Sequence, residues 1–224
     1  FDIDGTVMPI ERILSESDIK KVVKANSKPP FALRNKALVL VSTYWLLSPM
    51  EASELRLEDV MDRDGQFYRI WVLPDHVAQN GEAREIRTSD HIDKIMQSYI
   101  DWWIANGLYE SGKKAYRGRD PKAPFIVNDN YEKYSLSKRD KDGAGVLPVA
   151  LNKKLNSLLE NAGMKGCSAS SFRDSGIKML YDNGARYNDI RDFSGIKTKK
   201  SLDGKIRPHE AELESVMNNL FRNM

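Results

Sequence analysis

Apolar positions along most of the chain recur every three or four residues, which is the spacing of amphipathic helices. A clear example runs from Asp93 to Ile104. Capping residues and helix breakers such as Pro49, Gly163 and Gly184 bound the others. The pattern predicts further helices that begin after a Ser15 cap, at Arg34 to Leu47, at Met50 to Leu57, at Pro148 to Leu159, at Ser171 to Tyr181 and at Asn188 to Phe193.

Paired strands are predicted in a single region, about a third of the way along the chain. Phe67 to Leu73 is rich in β-branched and aromatic residues, and Arg84 to Thr88 would pair with it across a loop that holds Asn80-Gly81. Residues 107–147 are rich in Gly, Lys, Asp and Tyr and are predicted to be connecting structure. The fold class expected is therefore mostly α with a small antiparallel β-hairpin, an α+β arrangement.

Composition places the chain among packed globular proteins. Its 224 residues are 41% hydrophobic, enough for one large domain or two small ones. The longest apolar run, Ala37 to Leu47, reaches about half of a bilayer span and is predicted to be a core helix. The lone Cys167 cannot form an internal disulfide and no secretory signal is visible, so we expect a cytoplasmic protein, at the nucleoid if it is bacterial. Nothing indicates a cofactor or a metal site.

The chain begins with a string that suggests a different chemistry. Phe1 to Val7 reads FDIDGTV, in which Asp2 and Asp4 resemble the first motif of haloacid-dehalogenase-type phosphatases. That chemistry needs a parallel sheet built from alternating strands and helices, which the helical pattern does not supply. We therefore expect the match to be a coincidence, with both aspartates in a linker strand or turn.

Charge is uneven along the chain although the net charge is only +3. Residues 1–100 carry 13 basic and 16 acidic side chains, and residues 101–224 carry 22 and 16. A basic second half suits contact with nucleic acid, whereas solvated helix faces would explain it equally well. The clusters of interest are Lys153-Lys154 and the group Lys197, Lys199 and Lys200.

Six strings follow one another in a set order: Ile13 to Lys20, Leu33 to Leu40, Leu55 to Val60, Trp71 to Pro74 with Asn80-Gly81, Leu151 to Arg173, and Ile190 to Gly195. In order and spacing they resemble the catalytic domain of tyrosine recombinases, the phage-integrase family, over about residues 13–206. The resemblance implies double-stranded DNA as partner and DNA recombination or integration, for example of a mobile element, as the process.

The same resemblance implies that the catalytic machinery has been lost. In the family a tyrosine attacks a DNA phosphate while arginines, histidine or tryptophan, and a lysine offset the charge that develops. Only Arg173, at the second arginine position, is retained, and no tyrosine follows Tyr187. The other positions fall on Ser48 (first arginine), Gln79 (lysine), Ser170 (histidine), Ile196 (histidine or tryptophan) and Gly204 or Lys205 (nucleophile).

We therefore expect a catalytically inactive recombinase-like protein that binds DNA weakly and with steep salt dependence. Arg173 would contact phosphate, or else form a structural ion pair with Asp174, Asp182 or a distant acid. Residues predicted to lie near DNA, or to be solvated surface, are Lys153, Lys154, Lys197, Lys199 and Lys200.

Three alternatives and a domain division complete the prediction. Residues 1–12 would be a linker from an N-terminal DNA-clamp domain, 13–206 the recombinase-like domain, and 207–224 a C-terminal helix for self-association or contact with an active recombinase. The chain could instead be a divergent active recombinase that uses Tyr181 or Tyr187, or a protein-interaction module that has lost DNA binding. A helix-turn-helix at Asp189 to Leu202 is interpreted as a local look-alike.

Overall fold

A computed structural model describes residues 12–138 and 145–206, together with Asn218 and Arg222. Its helices are α1 (Glu16–Ala25), α2 (Ala32–Tyr44), α3 (Pro49–Glu54), α4 (Leu57–Val60), α5 (Asp90–Ala105), α6 (Val149–Asn161), α7 (Ala169–Asp182), α8 (Tyr187–Ser194) and α9 (Lys199–Ile206). Its strands are β1 (Ile70–Leu73), β2 (Arg84–Arg87), β3 (Ser137–Lys138) and β4 (Val146–Leu147). The predicted fold class, mostly helical with a small antiparallel hairpin, is confirmed.

Several predicted features lie outside the described residues. They are the opening motif with Asp2 and Asp4, the linker at 1–12 apart from Arg12, and the C-terminal helix at 207–224 apart from two residues. Within the described ranges, no helix combines the length and the apolar character that a bilayer crossing requires.

Reciprocal side-chain caps set where helices begin. At α1, Ser15 Oγ accepts from the N–H of Asp18 at 3.2 Å, and the Asp18 carboxylate accepts from the N–H of Ser15 at 3.1 Å. At α3, Ser48 and Glu51 form the same pair, at 3.3 and 2.8 Å. Pro49 therefore occupies the first helical position, where its missing N–H costs nothing.

Two short helices replace the single helix predicted from Met50. Leu55 is extended between α3 and α4, and its carbonyl accepts from the N–H of Phe125 at 2.7 Å. Arg56 pairs with Pro124 in the same ladder. This pairing uses backbone groups that a continuous helix would need, so the helix stops at Glu54.

The β1–β2 hairpin forms in the predicted place. Its strands are antiparallel, with Trp71 opposite Ile86. Because side chains alternate between faces, Trp71 and Ile86 enter the core while Ile70 and Val72 remain exposed. The alternation also turns Arg84 inward, where it is 7% exposed.

The core centres on α2, which packs against α5 and α7. The Trp45 ring packs edge to face against Trp71, with ring centroids 5.3 Å apart, and stacks on Phe125, with centroids 6.0 Å apart. Phe125 is fully buried although it belongs to the stretch expected to be connecting structure. On α7, Gly176 permits direct contact with α2, since a Cβ there would lie 1.9 Å from the carbonyl oxygen of Thr43.

A smaller apolar cluster holds α8 and α9 against α7. Its buried members are Leu46, Ile177, Ile190, Leu202 and Ile206. Gly195, in the left-handed conformation at φ 71°, ends α8. The turn at 194–196 is thereby brought against the inner face of the hairpin.

Candidate functional site

A buried ion pair joins the hairpin to α3. The Arg84 guanidinium donates to both oxygens of Glu51, from Nη1 to Oε1 at 2.6 Å and from Nη2 to Oε2 at 2.9 Å. The side chains are only 5% and 1% exposed. Two parallel charge-assisted hydrogen bonds of this kind are stronger than neutral ones and fix the relative orientation of the two side chains.

Backbone groups complete the surroundings of the Glu51 carboxylate. Oε2 accepts from the N–H of Ser48 at 2.8 Å, and Oε1 accepts from the N–H of Gln79 at 3.1 Å. Each oxygen therefore has one guanidinium donor and one backbone donor. Arg84 is fixed as well, because its Nε donates to the carbonyl of Phe193 at 3.1 Å.

Arg173, in the second turn of α7, lies beside this pair. Its Nη2 donates to the carbonyl of Ser194 at 2.5 Å. Its Nε is buried and has no hydrogen-bond partner among the described residues, while the side chain as a whole is partly exposed. Arg173 thus interacts with Glu51 through charge, without a direct hydrogen bond to it in the described structure.

The charges of the neighbouring groups shift the pKa values of Glu51 and Arg173. Burial raises the pKa of Glu51, but the hydrogen bonds and charge of Arg84, followed by the charge of Arg173, outweigh burial and leave that pKa below its usual value. Burial lowers the pKa of Arg173; the Glu51 charge opposes this and the Arg84 charge adds to it. Glu51 is therefore an anion at neutral pH.

A second ion pair lies next to Arg173. Lys205, on α9, donates from Nζ to Oδ2 of Asp174, whose side chain is 7% exposed. Asp174 follows Arg173 directly on α7. The pair fixes α9 to α7 through the residue next to the retained arginine.

The structure brings together residues that lie far apart in the sequence. Ser48 and Gln79 donate to the carboxylate that Arg84 and Arg173 flank. We call the group Glu51, Arg84 and Arg173 the carboxylate–diarginine cluster. Sequence analysis had assigned Arg173 to the site but neither Glu51 nor Arg84.

Two further predicted positions lie around the cluster. The Ile196 side chain packs on the small apolar cluster, and its N–H donates to Ser194 Oγ at 3.3 Å. Ser170 is exposed one turn before Arg173, with its Oγ 2.8 Å from that of Ser168. Neither side chain is bonded to the Glu51 carboxylate in the described structure.

The predicted DNA-binding lysines divide into two kinds. Lys154 pairs with Asp129 at 3.1 Å and Lys197 pairs with Glu82 at 2.5 Å. Lys153 on α6, and Lys199 and Lys200 at the start of α9, are exposed. These three lysines form no ion pair with any carboxylate of the described ranges.

The two candidate tyrosines lie away from Arg173 along their helices. Tyr187 begins α8, whereas Arg173 contacts Ser194 at its end, about 10 Å away along the axis. Burial and the Asp203 carboxylate raise the pKa of Tyr187, and its hydroxyl lies 3.1 Å from that carboxylate. Tyr181 is 44% exposed and lies about 12 Å beyond Arg173 on α7.

A cleft of about 960 Å³ adjoins the hairpin, between β2, α8 and the ends of α2 and α5. Its wall mixes basic and acidic side chains, namely Arg84, Arg87, Arg186, Glu85, Asp189 and Asp192. The indole N–H of Trp45, also in the wall, has no acceptor in the described part of the chain. Over those same residues, no group of three or more His, Cys, Asp or Glu is arranged to hold a metal ion.

Comparison with known proteins identifies the fold. No protein-family model matches the chain, and no curated protein matches its sequence. The crystal structure of XerA recombinase matches with a TM-score of 0.67 and 16% identity, over 94% of this chain and 65% of XerA. XerH site-specific recombinase, bound to a palindromic difH substrate, gives 0.62 and 13%, over 93% of this chain and 53% of XerH.

A third structure gives the same result. The Tn1549 transposon integrase, in complex with transposon right end DNA, matches with a TM-score of 0.61 and 11% identity, over 97% of this chain and 68% of the integrase. The chain thus spans only about half to two thirds of these proteins. It has the fold of the tyrosine-recombinase catalytic domain, as the six ordered strings predicted.

Proposed function

We propose that this chain is a recombinase-like domain that binds double-stranded DNA in a recombination or integration process and does not cleave it. The observation that carries the proposal is the Glu51 carboxylate, which lies against Arg84 and Arg173 in a fold shared with DNA recombinases.

Two features support loss of cleavage: the charges around Arg173, and the absence of a tyrosine at Gly204 or Lys205, where the resemblance implies the nucleophile. A phosphoryl-transfer site needs cations free to stabilise the charge that develops on the phosphate. Here the guanidinium of Arg84 is bonded to a carboxylate, and a phosphate that approached Arg173 would meet the negative charge of Glu51. Losing one preorganised donor costs about 10²–10³ in rate, and without a nucleophile the covalent step cannot occur.

DNA binding does not require that chemistry. Affinity for duplex DNA comes largely from Lys and Arg on phosphates, with release of counterions. Lys153, Lys199 and Lys200 are exposed and form no ion pair with any described carboxylate, so their charges are available to DNA. The XerH and Tn1549 structures are DNA complexes, which supports the same class of partner here.

Gel retardation of a duplex over a range of salt concentrations tests the binding. Replacing Lys199 and Lys200 by Gln should weaken binding and lower the slope of log affinity against log salt by about 1–2, since each phosphate contact contributes about 0.9. The control is Lys20→Gln with Lys21→Gln, which removes the same charge from the exposed face of α1. Absence of any retardation at low salt would favour a protein-interaction module.

A suicide duplex, which traps covalent intermediates, tests the absence of cleavage. We expect no protein–DNA adduct. An adduct would favour the divergent active recombinase, and peptide mapping would then show whether Tyr181 or Tyr187 carries the DNA.

Several finer assignments form part of the proposal. They are action on a mobile element, a cytoplasmic location, a linker at 1–12 and a contact through 207–224 with an active recombinase or a second copy. Co-purification of this chain, with and without 207–224, against a recombinase from the same genome tests the last of these.

A further inference from the structure

One of the lysines predicted to bind DNA is already held by an anion of the chain itself. The ammonium of Lys154 donates to both oxygens of Asp129, at 3.1 and 3.3 Å. Its neighbour on α6, Lys153, is exposed and forms no ion pair with a carboxylate of the described ranges. Two adjacent lysines of one helix therefore differ in whether their charge is available to a DNA phosphate.

Asp129 is fixed independently of Lys154. Its carboxylate also accepts from Nη2 of Arg34, a side chain that is fully buried. Arg34 is in turn fixed, because its Nη1 donates to the carbonyl of Val127 at 2.6 Å and to the hydroxyl of Tyr134 at 3.2 Å. A carboxylate at the surface is thus anchored to the core.

The backbone around Asp129 is ordered as well. The side-chain oxygen of Asn128 accepts from the N–H of Asn130 at 2.8 Å and from the N–H of Glu132 at 3.0 Å, which closes a tight turn around Asp129. Because the turn and Arg34 already order the carboxylate, holding Lys154 there costs little further conformational entropy.

The ion pair of Lys197 with Glu82 lacks this support. Among the described residues, Lys197 is the one side chain that bonds to the Glu82 carboxylate, at 2.5 Å. Both side chains are more than half exposed, and exposed pairs of this kind are weak. Lys197 is therefore held less firmly than Lys154.

We propose that Asp129, anchored by Arg34, competes with DNA phosphate for Lys154 and so keeps the affinity of the chain for duplex DNA below the value that its lysines alone would give. The inference rests on the proposed DNA binding and assigns to that surface a residue that weakens it. A phosphate must displace a carboxylate that has the high local concentration of an attached group. Once Asp129 is neutral, the flexible stem of Lys154 lets its ammonium turn to a phosphate.

Gel retardation of a labelled duplex by the full 224-residue chain, over a range of salt concentrations, tests the proposal. Asp129→Asn keeps an oxygen that can accept from Arg34 and removes only the charge. It should raise the affinity about three- to fivefold at low salt and steepen the slope of log affinity against log salt by about 0.9, the value of one further phosphate contact. The matched control is Asp101→Asn, which removes an exposed carboxylate on α5 from its ion pair with Arg117.

A second substitution shows whether Lys154 carries the gain. Asp129→Asn combined with Lys154→Gln has the net charge of the native chain, and both its affinity and its salt slope should return to the native values. Equal gains in Asp129→Asn and Asp101→Asn would overturn the proposal, as would a gain that persists in the double variant.

The two proposals fail in different ways. If the native chain retards the duplex and Asp129→Asn brings no gain, the competition at Lys154 is wrong and DNA binding stands. If neither the native chain nor any variant retards the duplex at low salt, DNA binding is wrong, and the competition is wrong with it.

Discussion

Arg34 and Arg84 are both buried arginines, but they differ in the carboxylate that each one meets. Arg34 is fully buried on α2 and donates to the Val127 carbonyl at 2.6 Å, to Asn35 Oδ1 at 2.9 Å and to Asp129, whose side chain is 59% exposed. Arg84 meets Glu51, which is 1% exposed. If Arg34 is removed, water can therefore solvate the Asp129 carboxylate. If Arg84 is removed, water cannot reach the Glu51 carboxylate in the same way.

The difference separates two uses of a buried charge. Arg34 ties neutral groups of the core together, with further contacts to Tyr134 Oη and the Phe31 ring, and its carboxylate lies at the surface. Arg84 and Arg173 share one enclosed carboxylate and leave a guanidinium nitrogen without a partner in the described structure. The first arrangement satisfies the hydrogen-bonding groups of its arginine within the core and at the surface, whereas the second leaves one buried guanidinium nitrogen unsatisfied.

The largest expected difference between the two sites is in the free energy of unfolding that is lost when each arginine is replaced. Arg84→Met leaves the Glu51 charge buried without its bidentate partner, so we expect the free energy of unfolding to fall by about 3–5 kcal/mol. Arg34→Met loses hydrogen bonds but leaves a solvated Asp129, and about 1–3 kcal/mol is expected. Urea unfolding measures both, and an equal loss in the two variants would contradict the distinction.

Double-mutant cycles should then give unequal coupling energies. For Glu51→Gln with Arg84→Met we expect a coupling of about 2 kcal/mol or more, because each single substitution leaves the charge of the other residue buried and unpaired. For Asp129→Asn with Arg34→Met, solvent screening should keep the coupling below about 1 kcal/mol. A coupling at Asp129 as large as that at Glu51 would show that exposure does not govern the difference.

Acid should affect the two sites in the same direction but to different extents. Burial raises the pKa of Asp129, but Arg34 and Lys154 outweigh it, so that its pKa, like that of Glu51, lies below the ordinary value. A carboxyl whose pKa is lower in the folded state contributes stability that is complete above its unfolded pKa, roughly 4, and that is lost as the pH falls further.

Because the Glu51 ion pair is shielded from water and that of Asp129 is not, Glu51→Gln should flatten the loss of stability below about pH 4 more than Asp129→Asn does. The measurement is the free energy of unfolding in urea at a series of pH values for the native chain and both variants. Curves for Glu51→Gln and the native chain that stay parallel in acid would argue against a lowered pKa at Glu51.

Much of the fold could be predicted from the sequence because its signals are local. Ser15 caps α1 as expected, and strands form within the two stretches predicted to pair, Phe67 to Leu73 and Arg84 to Thr88. The ordered strings predicted the recombinase fold despite identities of 11–16% to the matching structures. These signals depend on neighbours in the chain, and tertiary packing leaves the Ser15 cap and the hairpin unchanged.

The site could be predicted only in part. Counting back from Leu55 placed Ser48 at the first arginine position, whereas the structure turns Glu51 toward Arg84 and Arg173. The helix predicted from Met50 to Leu57 is also interrupted, because pairing at Leu55 separates α3 from α4. An inward Arg84 could have been predicted from alternation with Ile86, but its partner lies 33 residues away in the sequence and depends on how α3 packs against the hairpin.

The smallest expected effect lies at the exposed edge of the Arg34 site. Lys154 donates to Asp129 at 3.1 Å, and Asp129 also holds Arg34. Since this carboxylate is solvated and keeps Arg34, Lys154→Gln should lower the free energy of unfolding by less than about 1 kcal/mol. The same urea measurement tests this value, with Lys153→Gln, its exposed neighbour on α6, as the control. A loss at Lys154 as large as that of Arg34→Met would mean that the pair behaves as a buried one, and solvent exposure would no longer distinguish Asp129 from Glu51.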